Sequence, residues 1–413
     1  MQEKELLPHL FRTEYRKIIS VLIRHFGFEQ LSQAEDIASD TFLIAAETWG
    51  LKGLPDNPVA WLYTVAKNKA RDLLKRNLVF RQKVRDAIKP DEKTMPETDI
   101  DLSDENIRDS QLQMMFAIAD PVLSLESQIA LTLRILCGFG IEEIADAFLT
   151  NKETIHKRIS RAKEKLRSEK IKIRLPAASE INPRLDAVLA SLYLLFNEGY
   201  YSSSRNTVLR KDFCLEAMRL ALLLVENEQT NKPAVEALFA LMCFHASRFD
   251  ARTDENGEII RYDEQDRALW NEELISRGHF YLNQASRGPE LSRYHMEAAI
   301  AYWHTVKNDH SEKWENILRL YNQLLCLEYS PVSALNRTYA LSKIVGKQAA
   351  IDEAEKLGLT NNHLYHVLLG YLYTGIDHLK ANEHLLMALK LAKTEQERSL
   401  IRKDLKKFEN LKD

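Results

Sequence analysis

An all-α protein is the fold class this sequence predicts, and three observations carry it. Of 413 residues only 13 are Gly and 11 are Pro, well under average usage, so chain breakers are scarce. Apolar residues recur at spacings of three and four, as in Ile155, Ile159, Ala162 and Leu166, which is one stripe along a helix. Turn residues do not recur at the spacing of about eight to twelve positions that an all-β architecture needs.

At roughly 150 residues per domain, a chain of 413 residues implies two or three domains. Hydrophobic residues at 45% and charged residues at 28% allow real cores and exclude wholesale disorder. Fifty-seven Lys and Arg against 60 Asp and Glu leave a net charge of −3. That excludes a uniformly basic coat for nucleic acid but permits local basic patches. Cys137, Cys214, Cys243 and Cys326 form no C-x-x-C pair and sit in apolar helical contexts. They read as small buried hydrophobes of a reducing compartment rather than metal ligands or disulfides. The longest apolar runs, such as Leu192 to Phe196, fall short of the roughly 18 residues of a membrane span. With no signal peptide at Met1 to Glu5, the expected location is cytoplasmic, away from any membrane.

Taken in order, Leu10 to Phe26 is amphipathic and predicts a first helix. A second, Gln33 to Ala46, turns Ile37, Thr41, Ile44 and Ala45 inward and Glu35, Asp36 and Asp40 outward. The breaker-rich segment 50–58 reads as a loop. A third helix, Val59 to Arg76, combines Trp61 and Tyr63 with Asn68 and five bases. Aromatics can stack on unpaired bases while Lys and Arg track the backbone, although Trp61 taken alone is as well read as a core residue. Residues 60–90 carry nine bases against two acids, and residues 91–109 reverse this to eight acids against two bases. The acidic stretch has no apolar period and reads as a solvated linker. Residues 151–175 are basic again, ten against three.

The second basic island has the pattern of a helix-turn-helix. Ile129 to Leu136 is apolar, and Ile141, Ile144, Ala145 and Phe148 share one face of a short helix. Leu149 to Asn151 is the turn, with Thr150 and Glu153 as a capping-box start for the next helix. That helix buries the Ile155, Ile159, Ala162 and Leu166 stripe. Its far side holds Glu153, Lys157, Ser160, Arg161 and Glu164, with Thr154, Arg158 and Lys165 on the shoulder. Such a helix can enter the major groove, its first residues, Lys152 to His156, near base edges. An ordinary helical hairpin is the alternative.

These residues in this order resemble a bacterial extracytoplasmic-function sigma factor. Asp36-Ile37-Ala38-x-Asp40-Thr41-Phe42 is similar to the helix that docks on the clamp of RNA polymerase. Trp61-Leu62-x-x-x-Ala66-x-Asn68-x-x-x-Asp72-x-x-x-Arg76 is similar to the helix that contacts the −10 element, and residues 140–167 to the module that reads the −35 element. Lys152 stands where a proline is often found and Gly140 where Thr or Ser is commoner, which touches fine promoter preference and not the role. The resemblance implies no enzymatic chemistry, no cofactor and no metal. It implies Glu35, Asp36, Asp40 and Phe42 for core RNA polymerase, and Trp61, Asn68, Arg71, Lys75 and Arg76 for the −10 DNA with its unpaired non-template strand. Lys152, Glu153, Thr154, Lys157, Arg158 and Arg161 are implied for the double-stranded −35 DNA. The expected divisions are a region 2 helical bundle at 8–80, an acidic linker at 81–110 that holds the two DNA modules apart until polymerase separates them, and a region 4 helix-turn-helix at 111–172.

Residues 180–413 resemble the C-terminal helical extension of one sigma-factor subfamily, through Tyr193 to Tyr200, Ala246 to Arg252 and Asp263 to Trp270. Leu335 and Leu369, Tyr339 and Tyr373, Ala354 and Ala388, and Leu357 and Leu391 are each 34 apart. Leu369-Gly370-x-x-Tyr373 matches the tetratricopeptide pattern, with a looser copy at Ala298 to Leu327. The expected architecture there is a TPR-like superhelix whose concave face takes a peptide, a protein or the sigma modules; plain antiparallel helices are the alternative. Asn197, Glu198, His245, Arg248, Asp266, Arg267, His295 and His304 form a polar set with no metal spacing and no Gly-rich phosphate loop. They read as buried hydrogen-bonding groups, or else as a pocket (Asn197, Glu198, His245, Arg248, Asp266 and Arg267) for a regulatory protein or small ligand. A helical-repeat signalling scaffold with a DNA-binding module, and a ligand-dependent enzyme with a DNA-binding appendage, are the competing functions.

Overall fold

Amphipathic spacing becomes helix throughout. The computed structural model describes residues 3–86, 100–148, 150–201, 211–255, 258–288, 290–306 and 310–410. Among them are eighteen α-helices and no strand beyond an isolated bridge between Thr253 and Ile259. The chain divides into two compact units, Met1–Leu195 and Phe196–Asp413.

The first unit contains α1 (Glu3–Phe26), α2 (Leu31–Lys52), α3 (Pro58–Asp86) and α4 (Asp104–Ile118). It continues through α5 (Leu125–Leu131), a π-helical turn Thr132–Leu136, α6 (Ile141–Ala147), α7 (Lys152–Ser168) and most of α8 (Ala178–Tyr201). Helix α1 is its axis: Ile18, Ile19, Leu22 and Ile23 are buried, and α2, α3 and α4 all pack on it. Gly27 stops α1 at φ 80°, backbone that other residues adopt only with strain. Arg24 near the end of α1 donates to Asn106 Oδ1 at 2.8 Å and Ser110 Oγ at 3.2 Å, joining α1 to α4.

Several expected boundaries move. Helix α2 runs through Gly50 to Lys52, so the expected loop at 50–58 narrows to residues 53–57. Helix α3 continues past 80 to Asp86, and α4 already starts at Asp104. Residues 104–110, expected as linker, are therefore helical. The Ser103 side chain caps them by accepting from Asn106 N–H, and Asp104 and Glu105 sit in the first turn, where carboxylates complement the helix dipole. A charge count reads those same acids as solvated coil. Of the expected acidic linker, residues 87–99 lie outside the described residues.

The second unit holds α9 (Lys211–Glu226), α10 (Pro233–Ala246), α11 (Glu272–Ala285), α12 (Arg293–Thr305) and α13 (Ser311–Leu327). It ends with α14 (Pro331–Val345), α15 (Lys347–Leu357), α16 (His363–Tyr373), α17 (His378–Leu391) and α18 (Glu395–Asn410). Helix α10 is apolar on nearly every side, and α9, α11 and α12 pack around it. A helix without a polar face can only be central. Cys214 and Cys243 are buried as expected, and burial raises both thiols to about 12. Cys326 is exposed, contrary to its apolar sequence context, because it lies off the stripe of α13 that carries Trp314, Ile317 and Leu324.

The 34-residue period has a structural counterpart. Leu335 and Leu369 lie in α14 and α16, Ala354 and Ala388 in α15 and α17, and all four are buried. A Cβ added at Gly370 would stand 2.7 Å from Leu385 Cδ2 and 2.8 Å from its Cγ, so glycine sets the approach of α16 to α17. Gly370→Ala is expected to destabilise the second unit by about 1–3 kcal/mol through overpacking, read as a lowered thermal midpoint.

Candidate nucleic-acid interface

Helix α7 starts at Lys152, one residue after its cap. Asn151 is that cap, accepting from Thr154 N–H at 2.8 Å, in place of the expected Thr150. Both residue types cap well; the backbone hydrogen bond from Thr150 N–H to Ala145 O holds Thr150 in the turn. Of the expected turn, Leu149 lies outside the described residues. Ile155, Ile159, Ala162 and Leu166 are all buried, as their spacing requires. Glu153, Lys157, Ser160, Arg161 and Glu164 are all exposed on the opposite side. Arg158 and Thr154 are half-buried, and the Arg158 guanidinium lies 5.5 Å from the Phe148 ring, bracing α7 against the end of α6. Lys152 pairs with Glu142 of α6. Gly140 N–H donates to Glu143 Oε2 at 2.8 Å, so α6 is capped from within despite lacking a hydroxyl at 140.

On α3, Asn68, Arg71, Lys75 and Arg76 are exposed. Leu62, Ala66 and Ala70 form the buried stripe that aims them outward. Trp61 is half-buried and meets Trp49 of α2 edge-to-face, centroids 5.4 Å apart. Trp49, which sequence reasoning missed, is buried, and its indole N–H has no hydrogen-bond partner among the described residues. The aromatic pair flanks the short 53–57 loop. Tyr63 is anchored instead, donating to the buried Glu14 at 2.5 Å, and its own burial followed by that carboxylate raises its pKa.

The acids of α2 do not share one fate. Asp36 is exposed, Asp40 receives Lys69 of α3 at 2.8 Å, and Glu35 receives Lys163 of α7 at 2.8 and 2.9 Å on its two oxygens. Phe42 is buried against Phe11 and Tyr15, centroids 5.1 and 6.2 Å apart, so it supports α2 from beneath and offers no contact surface. Leu43 and Leu51, at 58% and 88% exposure, are the apolar side chains that α2 does present. Neither stood out in sequence, because a helical pattern marks the buried stripe and not a lone leucine off it.

Comparison with known proteins matches residues 10–78 to Sigma-70 region 2 and residues 122–166 to Sigma-70 region 4. Residues 184–286 match a family of unknown function, DUF6596. An uncharacterized protein of Rhizobium meliloti (strain 1021) is 34% identical over 363 residues, 86% of this chain and 84% of its own. No solved structure matches. The chain is an ECF-type sigma factor with a C-terminal helical extension. As a sigma factor it binds core RNA polymerase and promoter DNA, directs transcription initiation and is not an enzyme. No helix among the described residues is long and apolar enough to cross a membrane.

In the sigma factor's extension, the polar residues singled out in sequence separate into groups. His245 and Arg248 meet, the Arg248 guanidinium lying 3.4 Å from His245 Nδ1 and donating to Tyr200 at 3.3 Å. Arg248 also faces the rings of Tyr262 and Trp270 at 5.5 and 6.0 Å. Asp266 caps the turn Arg267–Leu269 by accepting from Ala268 N–H, and Arg267 lies over Trp270 at 5.7 Å. His295 closes the start of α12 by accepting from Ser292 N–H at 3.0 Å. Asn197 and Glu198 are half-buried on α8.

Burial, then Arg248 and Lys313, lowers His304 to about 3. Burial, then Arg248, Arg252 and His304, puts His245 well below its usual value. Both are neutral in the fold, so as pH falls below about 6.5 the unfolded chain takes up protons first. The contribution of His304 to stability is complete above about 6.5 and is lost towards about 3, at up to about 1.4 kcal/mol per pH unit, and His245 acts in the same direction. The full chain is expected to melt lower at pH 5.5 than at pH 7.5, and His304→Asn to flatten that dependence.

Proposed function

We propose that the sigma factor engages its partners through three surfaces of the first unit and that the extension regulates their use. The exposed face of α7 around Lys157 and Arg161 reads −35 DNA. Asn68, Arg71, Lys75 and Arg76 of α3 hold the −10 region, and Trp61, backed by Trp49 beside the 53–57 loop, receives an unstacked non-template base. Flipping a base costs a few kcal/mol, which aromatic stacking at about 1–3 kcal/mol per base together with phosphate contacts can offset. The acidic and leucine-bearing side of α2 docks core polymerase. One observation carries the reading: every polar side chain opposite the buried stripe of α7 is exposed, as an inserting helix requires.

The Lys163–Glu35 ion pair adds a step. It joins the recognition helix to the helix assigned to polymerase, so docking through Glu35 takes that carboxylate from Lys163 and frees α7 to reach the −35 element at its own distance. Run-off transcription with purified core polymerase tests the assignment. Specific initiation that Trp61→Ala reduces far more in opening than in duplex binding supports it. Initiation unaffected by Trp61→Ala and by Asn68→Ala refutes the −10 assignment.

A further inference from the structure

Between α10 and α11 the chain spends residues 247–255 and 258–271 in short 3-10 turns, bends and extended backbone, and its acidic part crosses the later helices of the second unit. Ile260 N–H donates to Arg252 O at 2.8 Å and Asp254 N–H to Glu258 O at 3.0 Å, which folds the segment back on itself. From there Glu258 to Asp266 runs as a strap. Tyr262 hydroxyl donates to His304 O of α12 at 2.7 Å and accepts from Lys313 Nζ of α13 at 3.2 Å. Arg261 pairs with Asp404 of α18, Glu264 with Lys407 and Glu258 with Lys403. Glu258 to Glu264 thus reach α12, α13 and α18, spread over roughly a hundred residues of sequence, as a bound peptide does when laid across a helical array.

We propose that this strap is a resident pseudo-ligand, and that the face it covers is a docking groove for an extended acidic peptide of a partner protein, one carrying a tyrosine flanked by carboxylates. Charge complementarity supports that chemistry. The strap has four acids (Glu258, Asp263, Glu264, Asp266) and one base (Arg261). Lys313 lies beneath it at 1% exposure, Lys403 and Lys407 line its end, and Lys343 stands over the rings of Trp314, Tyr339 and Tyr371 at 5.6, 5.1 and 5.7 Å. The fit of the strap is also imperfect. Arg261 Nε, Gln265 Oε1, Trp270 Nε1, His304 Nδ1 and Arg248 Nε are buried with no hydrogen-bond partner among the described residues. Buried polar atoms left unmade are costly, so a peptide that satisfies some of them competes well. The outer ion pairs are half-solvated, with Glu258, Lys403, Glu264 and Lys407 each more than 40% exposed, and such pairs hold weakly. The inference stands apart from the transcriptional reading, since it concerns binding by the extension alone.

The probe is a fluorescein-labelled peptide of the strap's own sequence, residues 258–267, titrated by anisotropy against the full chain. A groove open only a tenth of the time binds about ten-fold more weakly than one open always. Glu258→Ala/Arg261→Ala/Glu264→Ala is therefore expected to bind the peptide at least about ten-fold tighter than the natural chain. A peptide with Tyr262 replaced by Ala is expected to lose that binding, and so is one with its acids replaced by Lys. Lys407→Glu added to the triple variant removes the cation that the peptide's own Glu264 would meet and should weaken peptide binding, while the peptide with Glu264→Lys should recover it. If the triple variant keeps its helical circular dichroism and gains no affinity, or if Lys407→Glu added to it leaves peptide binding unchanged, the strap is structural only and the proposal is overturned.

Discussion

Replacing Lys157 and Arg161 together with Ala is expected to weaken −35 binding by about 2–6 kcal/mol, at about 1–3 kcal/mol for each base-edge contact. Both side chains are exposed on α7 while the neighbouring Ile159 and Ala162 are buried, so folding is expected to be unchanged. Binding of matched and mismatched duplexes across a salt series separates two origins. Loss of a base contact relaxes sequence preference at one position. Loss of a phosphate contact weakens all sequences alike and makes the salt slope shallower by nearly one per contact. An unchanged affinity and slope would remove α7 from the interface.

Cutting the chain after residue 178 is expected to destabilise the first unit by at least about 3–6 kcal/mol, from about 1.5–3 kcal/mol each for Val188 and Leu192 alone among the buried apolar side chains of α8. Val188 and Leu192 of α8 line, with Met115, Ala119 and Thr132, a cavity of only about 10 Å³, and Arg184 of α8 pairs with the mostly buried Asp120 at 3.1 Å. The first half of α8 therefore completes the unit that carries both DNA-facing helices. Thermal unfolding of residues 1–178 beside residues 1–201 measures it, and equal midpoints would show that α8 is dispensable. A comparison of promoter activity between the full chain and the DNA modules has to keep α8, or lost stability will pass for lost regulation.

The helices themselves were legible because a buried stripe is a local property. The 3-4-3 spacing from Ile155 to Leu166 needs no knowledge of what covers it, and neither does the 34-residue recurrence that falls on α14 to α17. Helix ends were less so. Asn151 caps α7 where the pattern favoured Thr150, and the choice between adjacent capping residues rests on backbone geometry that sequence leaves open. Phe42 was assigned to a surface through its motif and lies in the core, since its neighbours Phe11 and Tyr15 come from another helix.

From sequence alone came the class of the protein: two basic helices around an acidic stretch, an acid-faced helix and a helical body, all encoded by residues close together in the chain. What the tertiary structure decided was which charges are already taken. Glu35 and Lys163 are 128 residues apart, and Arg261 and Asp404 are 143 apart; no periodicity links them, and only packing brings them within reach. Charge patterns name surfaces that can bind, but where the fold has already given a charge a partner, as with Glu35 and Lys163, binding has to displace that partner first.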